Sequence, residues 1–497
     1  MNESSTFKCL AVDMGASNIR IMQGSVSHTE IEYHEIYRFA NNIIEKDGHE
    51  RWDIELILRE IVKGLNLAFD AAAEGITSIG VDGWGVDFAL LDTSGKLMEW
   101  PVSYRDKRTE GMEEKWLEIM SREETFQRTG INYYIFNTLF QLLAMKDSEK
   151  LAHTSRVLML PNYVMSALCG RAVNELTVSS TSQLMNATSG TWDPVIMEHL
   201  GISTDVMGEI CEPGTILGDV DHPELKMTGT RAIAVCSHDT ASAVVSVPFG
   251  DEASVFISTG TWCLIGVETD RPILSPDALT NGFTNERTYG GRFRCLKNIA
   301  GLWLVQGLIK SLPVDEDYEE IESLARQYNE NLNIVNSDDP IFFNPDNMKD
   351  AFDEYFRKTG QEPPSGPGGY FRCAYDSLIF SFRYHIELIE KMTGQSIETI
   401  HLIGGGCQSA YLTSQTTAIC QRKVVSGPVE AATIGNILVQ AMAVGILPDL
   451  HSSRTLVKDT LEIRTYYPDR QQVVHESEYS NFLELMDNEE KNKIGTK

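Results

Sequence analysis

The sequence predicts an α/β protein built from two related halves that enclose a cleft, and three observations carry that expectation. A strand–turn–strand unit near the N-terminus, Leu10-Ala-Val-Asp13-Met-Gly15-Ala-Ser17-Asn18-Ile-Arg20, has a counterpart in Ser254-Val-Phe-Ile-Ser258-Thr259-Gly260-Thr261-Trp-Cys-Leu-Ile. After each unit, amphipathic helices alternate with apolar strands, the pattern of α/β folds. The 497 residues also exceed what one core holds, so two or more domains are expected.

The first half reads as strands at 8–13, 19–24 and 31–38 joined by tight turns. Asp53 can cap a helix running to about Ala73, with Leu56, Ile57, Ile61, Leu65 and Phe69 on one face and Gly75 as its stop. A strand at 78–82 leads through Gly83-Trp84-Gly85 into an alternating strand that ends at Asp92. Further on, a strand at 233–236 precedes Ser237-His238-Asp239, which opens a helix of small residues.

The second half repeats this order. Strands at 254–257 and 262–267 form a hairpin, and a third strand is expected at 292–299. A long helix over 375–392 stops at Gly394, followed by a strand at 399–403 and three glycines at 404–406. A helix over 409–421, a strand at 423–425 and a helix over 430–444 complete the unit. The expected domains are 1–248 and 249–470, with a charged tail over 471–497 that is poorly ordered at its end. The acidic segment 313–369, rich in Asn, Asp and Pro, reads as an insertion on the surface.

Composition excludes several classes of function. A net charge of −29 repels nucleic acid and anionic membranes. No apolar run reaches the length of a membrane span, and the N-terminus is polar, against a secretory signal. Nine scattered cysteines, odd in number and never spaced C-x-x-C, read as reduced thiols of a cytoplasmic protein and argue against zinc ribbons. Nothing in the sequence indicates an oligomeric state.

The chemistry-bearing residues sit in the turns. The Gly-containing turns at 13–20 and 258–261 offer backbone N–H groups and hydroxyls that can cradle phosphate oxygens. Each is also what an ordinary hairpin needs, but their recurrence at equivalent places in two halves favours a nucleotide site. Asp13 can hold Mg²⁺ through water, since Mg²⁺ takes few carboxylates and keeps its waters. Asp239 can accept the proton of an attacking hydroxyl, with His238 hydrogen-bonding the same substrate; an Asp there is equally a helix cap. The glycines at 404–406 suit a ligand lying against backbone and a helix N-terminus, or a plain tight turn. Trp84 beside Asp82 can face a polyol or sit in the core, and composition favours the core. No Walker A sequence and no protein-kinase catalytic loop occur.

These residues resemble the FGGY carbohydrate kinases of the actin/Hsp70-like ATPase superfamily over nearly the whole chain. The resemblance rests on Ala11-Val-Asp-Met-Gly-Ala-Ser17, Ser78-Ile-Gly-Val-Asp-Gly-Trp-Gly-Val-Asp-Phe88, Tyr104-Arg-Asp-Lys-Arg-Thr109 and Phe136-Asn-Thr-Leu139. It continues in Ser237-His-Asp-Thr-Ala-Ser-Ala243, Leu296-Lys-Asn-Ile299 with Gly301-Leu-Trp-Leu304, His401-Leu-Ile-Gly-Gly-Gly-Cys-Gln408 and Gly427-Pro-Val-Glu-Ala-Ala-Thr-Ile-Gly-Asn436. The Trp-Gly-Val-Asp-Phe and Ser-His-Asp-Thr-Ala-Ser-Ala blocks resemble the branch that phosphorylates L-rhamnulose.

The resemblance implies two related actin/Hsp70-like (ribonuclease H-like) domains with the catalytic cleft between them. It implies transfer of the γ-phosphate of ATP to the 1-hydroxyl of L-rhamnulose in L-rhamnose breakdown, with Asp239 as proton acceptor and Asp13 near Mg²⁺. Gly85 and His238 would contact the ketose, with Trp84 and Asp82 beside it. ATP would meet Ala16, Ser17, Asn18, Ile19 and Arg20 in the first half and Thr261, Asn298, Gln306 and Gly404 in the second. Competing readings are a kinase of L-fuculose or D-xylulose, or a nucleotide-gated sugar-binding protein without turnover. Two departures stand out. Asn18-Ile19 replaces the family's Ser-Gly, so the second strand is expected to begin there, and Gly83 replaces a Thr, removing a hydroxyl from the sugar side.

Overall fold

Strand β1 (Phe7–Met14) is apolar on both faces, and a strand with no polar face belongs inside a sheet. In the computed structural model, which describes residues 6–72, 75–250, 252–330, 332–469 and 476–495, it does lie there. β2 (Asn18–Val26) pairs with it antiparallel, and β3 (Ile31–Ala40) forms the edge beyond β2. On the other side β4 (Ser78–Gly83) runs parallel to β1; β5 (Ile216–Asp219) is the far edge, with β6 (Arg231–Ile233) between β5 and β4. The chain forms two units. The first holds this sheet and comprises the chain to Pro248, Glu268–Leu296 and Glu430–Leu461.

Helix α1 (Ile54–Ala71) covers this sheet as its periodicity predicts. The Asp53 carboxylate accepts from the Leu56 N–H at 3.0 Å, and Ile54, Ile57, Ile61, Val62, Leu65 and Ala68 are buried. Leu56 and Phe69, expected on that face, are half-buried flanks; Ala73 lies outside the described residues. Helix α2 (Asp239–Val245) begins at the expected position, although the regular strand before it ends at Ile233.

The second unit comprises Phe249–Val267, Lys297–Val429 and the chain from Glu462. Its sheet is built from β7 (Ser254–Thr259) and β8 (Trp262–Thr269) in an antiparallel hairpin, β10 (Phe293–Ala300), β11 (Thr399–Ile403), β12 (Lys423–Ser426) and β13 (Arg464–Tyr466), in the order β10-β8-β7-β11-β12-β13. Strand β9 (Thr284–Arg287) and the first half of β10 are counted with the first unit, where they pair antiparallel. In each sheet the first strand pairs antiparallel with the second and parallel with the fourth. The orders β3-β2-β1-β4-β6 and β10-β8-β7-β11-β12 are therefore the same 3-2-1-4-5 arrangement, the repeat expected from the two hairpins.

One expectation fails because apolar spacing lies within a polar stretch. The segment 313–369 is not a surface insertion. It carries helices Tyr318–Gln327 and Met348–Thr359, whose Ile321, Ala325, Phe352, Tyr355 and Phe356 are buried, and it supplies the start of α3 (Pro367–Thr393). Pro367 at the first turn lets that helix begin before the expected 375. The tail contains a helix, Glu476–Gly495, with Tyr479 and Phe482 buried and their rings near Phe380; the end of the chain lies outside the described residues. Helices α4 (Ala410–Cys420), α5 (Ala431–Ala443) and α6 (Leu450–Thr460) complete the chain used below. Among the described residues no helix is long and apolar enough to cross a membrane.

Candidate active site

Sheet register assembles the acidic centre of the first unit. The β1–β2 pairing sets Asp13 opposite Arg20, and the parallel β1–β4 pairing sets Asp13 beside Asp82. Gly83, next in β4, bridges to His238 and donates its N–H to the Ser237 carbonyl at 3.0 Å. The 237–239 segment thus continues the sheet, and Asp239 at the start of α2 joins the two carboxylates.

The three acids differ in environment. Asp82 has no exposure; its Oδ2 accepts from Asn436 Nδ2 at 2.5 Å, and its Oδ1 has no hydrogen-bond partner among the described residues. Burial and then the neighbouring Asp13 charge push its pKa well above the usual carboxylate range. Burial also raises the pKa of Asp239, helped by Asp13 and opposed by His238 and the Thr240 N–H. The Asp239 side chain is 35% exposed, whereas Asp82 has no exposure. The contacts to Asp239 converge on Oδ1: Thr240 N–H at 2.5 Å, Thr240 hydroxyl at 3.1 Å and His238 Nε2 at 3.5 Å. Among the described residues no hydrogen bond engages Oδ2, which is open to accept a proton.

Arg20 neutralises part of this charge by pairing with Asp13 Oδ2 and with Glu430 Oε2, the latter at 2.6 Å. Burial works against its charge, but the two carboxylates outweigh it and hold the guanidinium pKa above its ordinary value. Glu430 opens a polar stripe along α5 that sequence reading did not assign. Thr433 Oγ1 lies 3.4 Å from Asp13 Oδ2, Asn436 binds Asp82, and Gln440 binds Ser78 Oγ at 2.6 Å and the Leu10 carbonyl at 3.0 Å. The signal was a helix carrying polar residues at positions 433, 436 and 440, a helical spacing. Gly435 lets α5 approach α2, since a Cβ there would lie 1.7 Å from the Ser242 carbonyl oxygen.

The turn at 13–20, expected to meet phosphates, is open. Gly15 donates to the Asn18 carbonyl at 3.0 Å, Ser17 is exposed, and Ala16 and Asn18 are half-buried. Strand β2 begins at Asn18, as expected, and Ile19 is not among the residues with positive φ. Its side chain is fully buried in the core, so only its backbone belongs to the turn.

Gly85, expected to meet the ketose, abuts Thr181, whose hydroxyl would lie 2.7 Å from a Cβ at position 85. Val86 holds φ at 66°, a strained conformation for a β-branched residue. Three contacts hold it there: its N–H donates to Thr181 Oγ1 at 3.1 Å, and its carbonyl accepts from Thr138 Oγ1 at 2.7 Å and Gln141 Nε2 at 3.3 Å. Trp84 is core, 7% exposed, with its ring 4.4 Å from Trp52. Both indoles donate to Asp87 Oδ2, at 2.6 Å from Trp52 and 2.9 Å from Trp84. Gly83 is likewise enclosed; a Cβ there would meet Met14 Cβ at 2.8 Å and Pro161 Cγ at 3.3 Å. The space that a Thr would occupy is therefore filled, and Gly83→Thr is expected to cost about 1–3 kcal/mol in denaturant unfolding. Unchanged stability would mean that Met14 and Pro161 yield.

Asp87 gives a pH-dependent expectation. Burial raises its pKa to about 6 against the pull of its three side-chain donors, Trp52, Trp84 and Gln141. The folded pKa lies above the unfolded one, so folding takes up a proton between the two values. The linked stability is complete below the unfolded pKa and is lost as pH rises through about 6, amounting to about 3 kcal/mol. Asp87→Asn does not titrate, so its melting midpoint should gain on the parent's between roughly pH 4 and 7.5. A difference that stays constant with pH would remove the shift.

The His238 segment has supports that sequence reading missed. Buried Glu175 accepts from the Ser237 N–H at 3.0 Å and from the Thr177 hydroxyl at 2.7 Å; Thr177 in turn accepts from the His238 N–H at 3.3 Å. Glu286 and Arg294, cross-strand partners in β9–β10, both face the His238 ring.

The remaining expected nucleotide residues lie in the second unit. Thr259 Oγ1 donates to the Ile403 carbonyl at 2.7 Å, fixing the 258–261 turn against the end of β11. Gly404 has φ 81° and its missing Cβ would sit 2.9 Å from the Thr259 carbonyl oxygen, so only glycine fits. The Gly404 N–H donates to the Pro428 carbonyl at 3.1 Å. Thr261 is exposed, Asn298 lies half-buried on β10, and Gln306 lies half-buried on the helix Trp303–Ser311. The three-glycine run forms a single 3-10 turn before α4, rather than opening that helix directly.

Comparison with known proteins agrees with this architecture. Residues 8–246 match the FGGY family of carbohydrate kinases, N-terminal domain, and residues 255–444 match its C-terminal domain. The chain is 35% identical to a rhamnulokinase of Bacillus subtilis, over 92% of this chain and 95% of the relative. It is 38% identical to one of Bacteroides thetaiotaomicron, over the same shares. Among solved structures it is similar to a gluconate kinase from Lactobacillus acidophilus, with TM-score 0.80 and 15% identity over 99% of this chain and 98% of the other. A Plasmodium falciparum glycerol kinase gives TM-score 0.79 and 14% identity over 98% of each chain. At such identity the structural likeness speaks to the fold alone.

Proposed function

The chain belongs to the FGGY family of carbohydrate kinases, and we propose that within it the protein is a rhamnulokinase, moving the γ-phosphate of ATP to the 1-hydroxyl of L-rhamnulose to give L-rhamnulose 1-phosphate and ADP. The observation that carries the chemistry is the Asp239 carboxylate. It is partly enclosed, its pKa is raised, and its contacts gather on one oxygen while the other stays open. A raised pKa makes it a better proton acceptor near neutrality. Asp239 Oδ2 takes the proton of the attacking hydroxyl, and His238 and Gly85 orient the ketose. Asp82 and Trp84 stand behind that surface as buried support, which fits their lack of exposure.

Ala16, Ser17, Asn18, Arg20 and the Ile19 backbone are the phosphate contacts of the first unit, and Thr261, Asn298, Gln306 and Gly404 are the nucleotide contacts of the second. No group of three His, Cys, Asp or Glu residues among the described residues forms a ready metal site. That suits Mg²⁺, which takes one or two carboxylates, waters and substrate phosphates. Asp13 would hold it, and the unpartnered Oδ1 of Asp82 fits a hard cation nearby. Bound there, Mg²⁺ supplies charge neutralisation at the transferring phosphate. All nine cysteines are free thiols, which supports a cytoplasmic enzyme.

The test is ADP release with Mg·ATP across L-rhamnulose, L-fuculose, D-xylulose, glycerol and a no-sugar control. Preference for L-rhamnulose is expected. Preference for another substrate keeps the mechanism and moves the specificity; no sugar-dependent release from folded protein overturns the kinase reading.

A further inference from the structure

We propose that Arg294 is a positioning residue that fixes His238 as its Nε2–H tautomer, so that the imidazole presents an N–H to the Asp239 carboxylate. Arg294 is fully buried on β10, and its Nη2 lies 3.0 Å from His238 Nδ1. A guanidinium has donors only and does not deprotonate, so the nitrogen that meets it must offer a lone pair. A neutral imidazole with a lone pair on Nδ1 carries its proton on Nε2. That nitrogen lies 3.5 Å from Asp239 Oδ1.

The competitor is Glu286, whose Oε2 lies 3.2 Å from the same Nδ1 and would favour a proton there. It is already engaged, because Arg294 Nη2 donates to Glu286 Oε2 at 2.8 Å. Burial works against its charge, but the Arg294 guanidinium outweighs it and holds the Glu286 carboxyl below its usual range. A proton placed on Nδ1 would point at the cation. The hairpin register makes the arrangement rigid: Glu286 and Arg294 are directly opposed on β9 and β10, and Arg294 Nε also donates to the Arg287 carbonyl at 3.2 Å. The N–H on Nε2 then faces Asp239 Oδ1, beside the Thr240 donors, and Oδ2 is left to take the proton. This consequence rests on the kinase reading; the tautomer itself does not.

The experiment is long-range ¹H–¹⁵N correlation on the full chain, with the His238 signals identified by their loss in His238→Gln. An unprotonated Nδ1 and a protonated Nε2 are expected, and a protonated Nδ1 in neutral His238 overturns the proposal whether or not any sugar is phosphorylated. Arg294→Met leaves Glu286 facing Nδ1, so the proton should move to Nδ1. Its kcat should fall about 10- to 100-fold, short of the roughly 10⁴ that a wrong tautomer costs where the imidazole itself carries the proton, with the KM for ATP within about twofold. Arg294→Gln restores a donor without the charge and should recover the parental tautomer. Lost turnover with the tautomer unchanged would make Arg294 merely structural and sink the idea. Should Arg294→Met fail to fold, the parental tautomer decides alone.

Discussion

Asp239→Asn should lower kcat with L-rhamnulose by about 10²- to 10⁴-fold, the range that general-base help contributes, while ATP still binds. The substitution is close to isosteric, and its Oδ1 can keep the bonds from the Thr240 N–H and hydroxyl. What it loses is a basic Oδ2. Stability should hold, because two effects oppose. A negative charge in the first turn of α2 is lost, worth about 0.3–1 kcal/mol. Repulsion from Asp13, which helps raise the Asp239 pKa, disappears with it. The decisive measurements are steady-state turnover and calorimetric ATP affinity on the same preparation. Turnover near the parental rate would take the base role from Asp239; loss of ATP binding as well would place the defect in the site's architecture.

Arg454→Met should produce the largest loss of stability, about 3–5 kcal/mol, because it breaks a buried ion pair from one side. Arg454 on α6 is 7% exposed and binds both oxygens of Glu268, at 2.8 and 3.0 Å. It also donates to the Val244 carbonyl at 3.0 Å and approaches that of Val245 at 3.4 Å. Those are the last carbonyls of α2, so the guanidinium caps the helix whose first residue is Asp239. Arg292 Nη1 still pairs with Glu268 at 2.9 Å, which keeps the loss at the lower end of the range. Denaturant unfolding measures the cost, and Glu268→Gln added to Arg454→Met should recover part of it. A variant as stable as the parent would show that desolvation cancels the pairing here.

Local signals made the architecture legible. Asp53 before an apolar period, Gly394 after one, and two glycine turns between β-branched runs each have a short-range cause, and the corresponding elements formed. The repeat of the halves followed from order alone. A polar stretch misled where amphipathic spacing lay inside it, as at Ile321 and Phe352, because composition averaged over a segment hides a buried face. Trp84 shows the converse. Its neighbours allowed a sugar platform while its type favoured a core, and the Trp52 ring and the Asp87 carboxylate decided for the core.

The sequence by itself marked the residues proposed to carry chemistry: Asp13, Asp239 and the glycines of the turns, each of a type that tight turns and proton transfer require. It could not determine who stands next to them. Glu430, Thr433 and Asn436 reach Arg20, Asp13 and Asp82 from more than 350 positions away. Glu286 and Arg294 face His238 through a hairpin register. Such neighbours act on the charge states of Arg20 and Asp82, because burial and nearby charge act through distance in space, and sequence order carries no record of that distance until the sheets have formed.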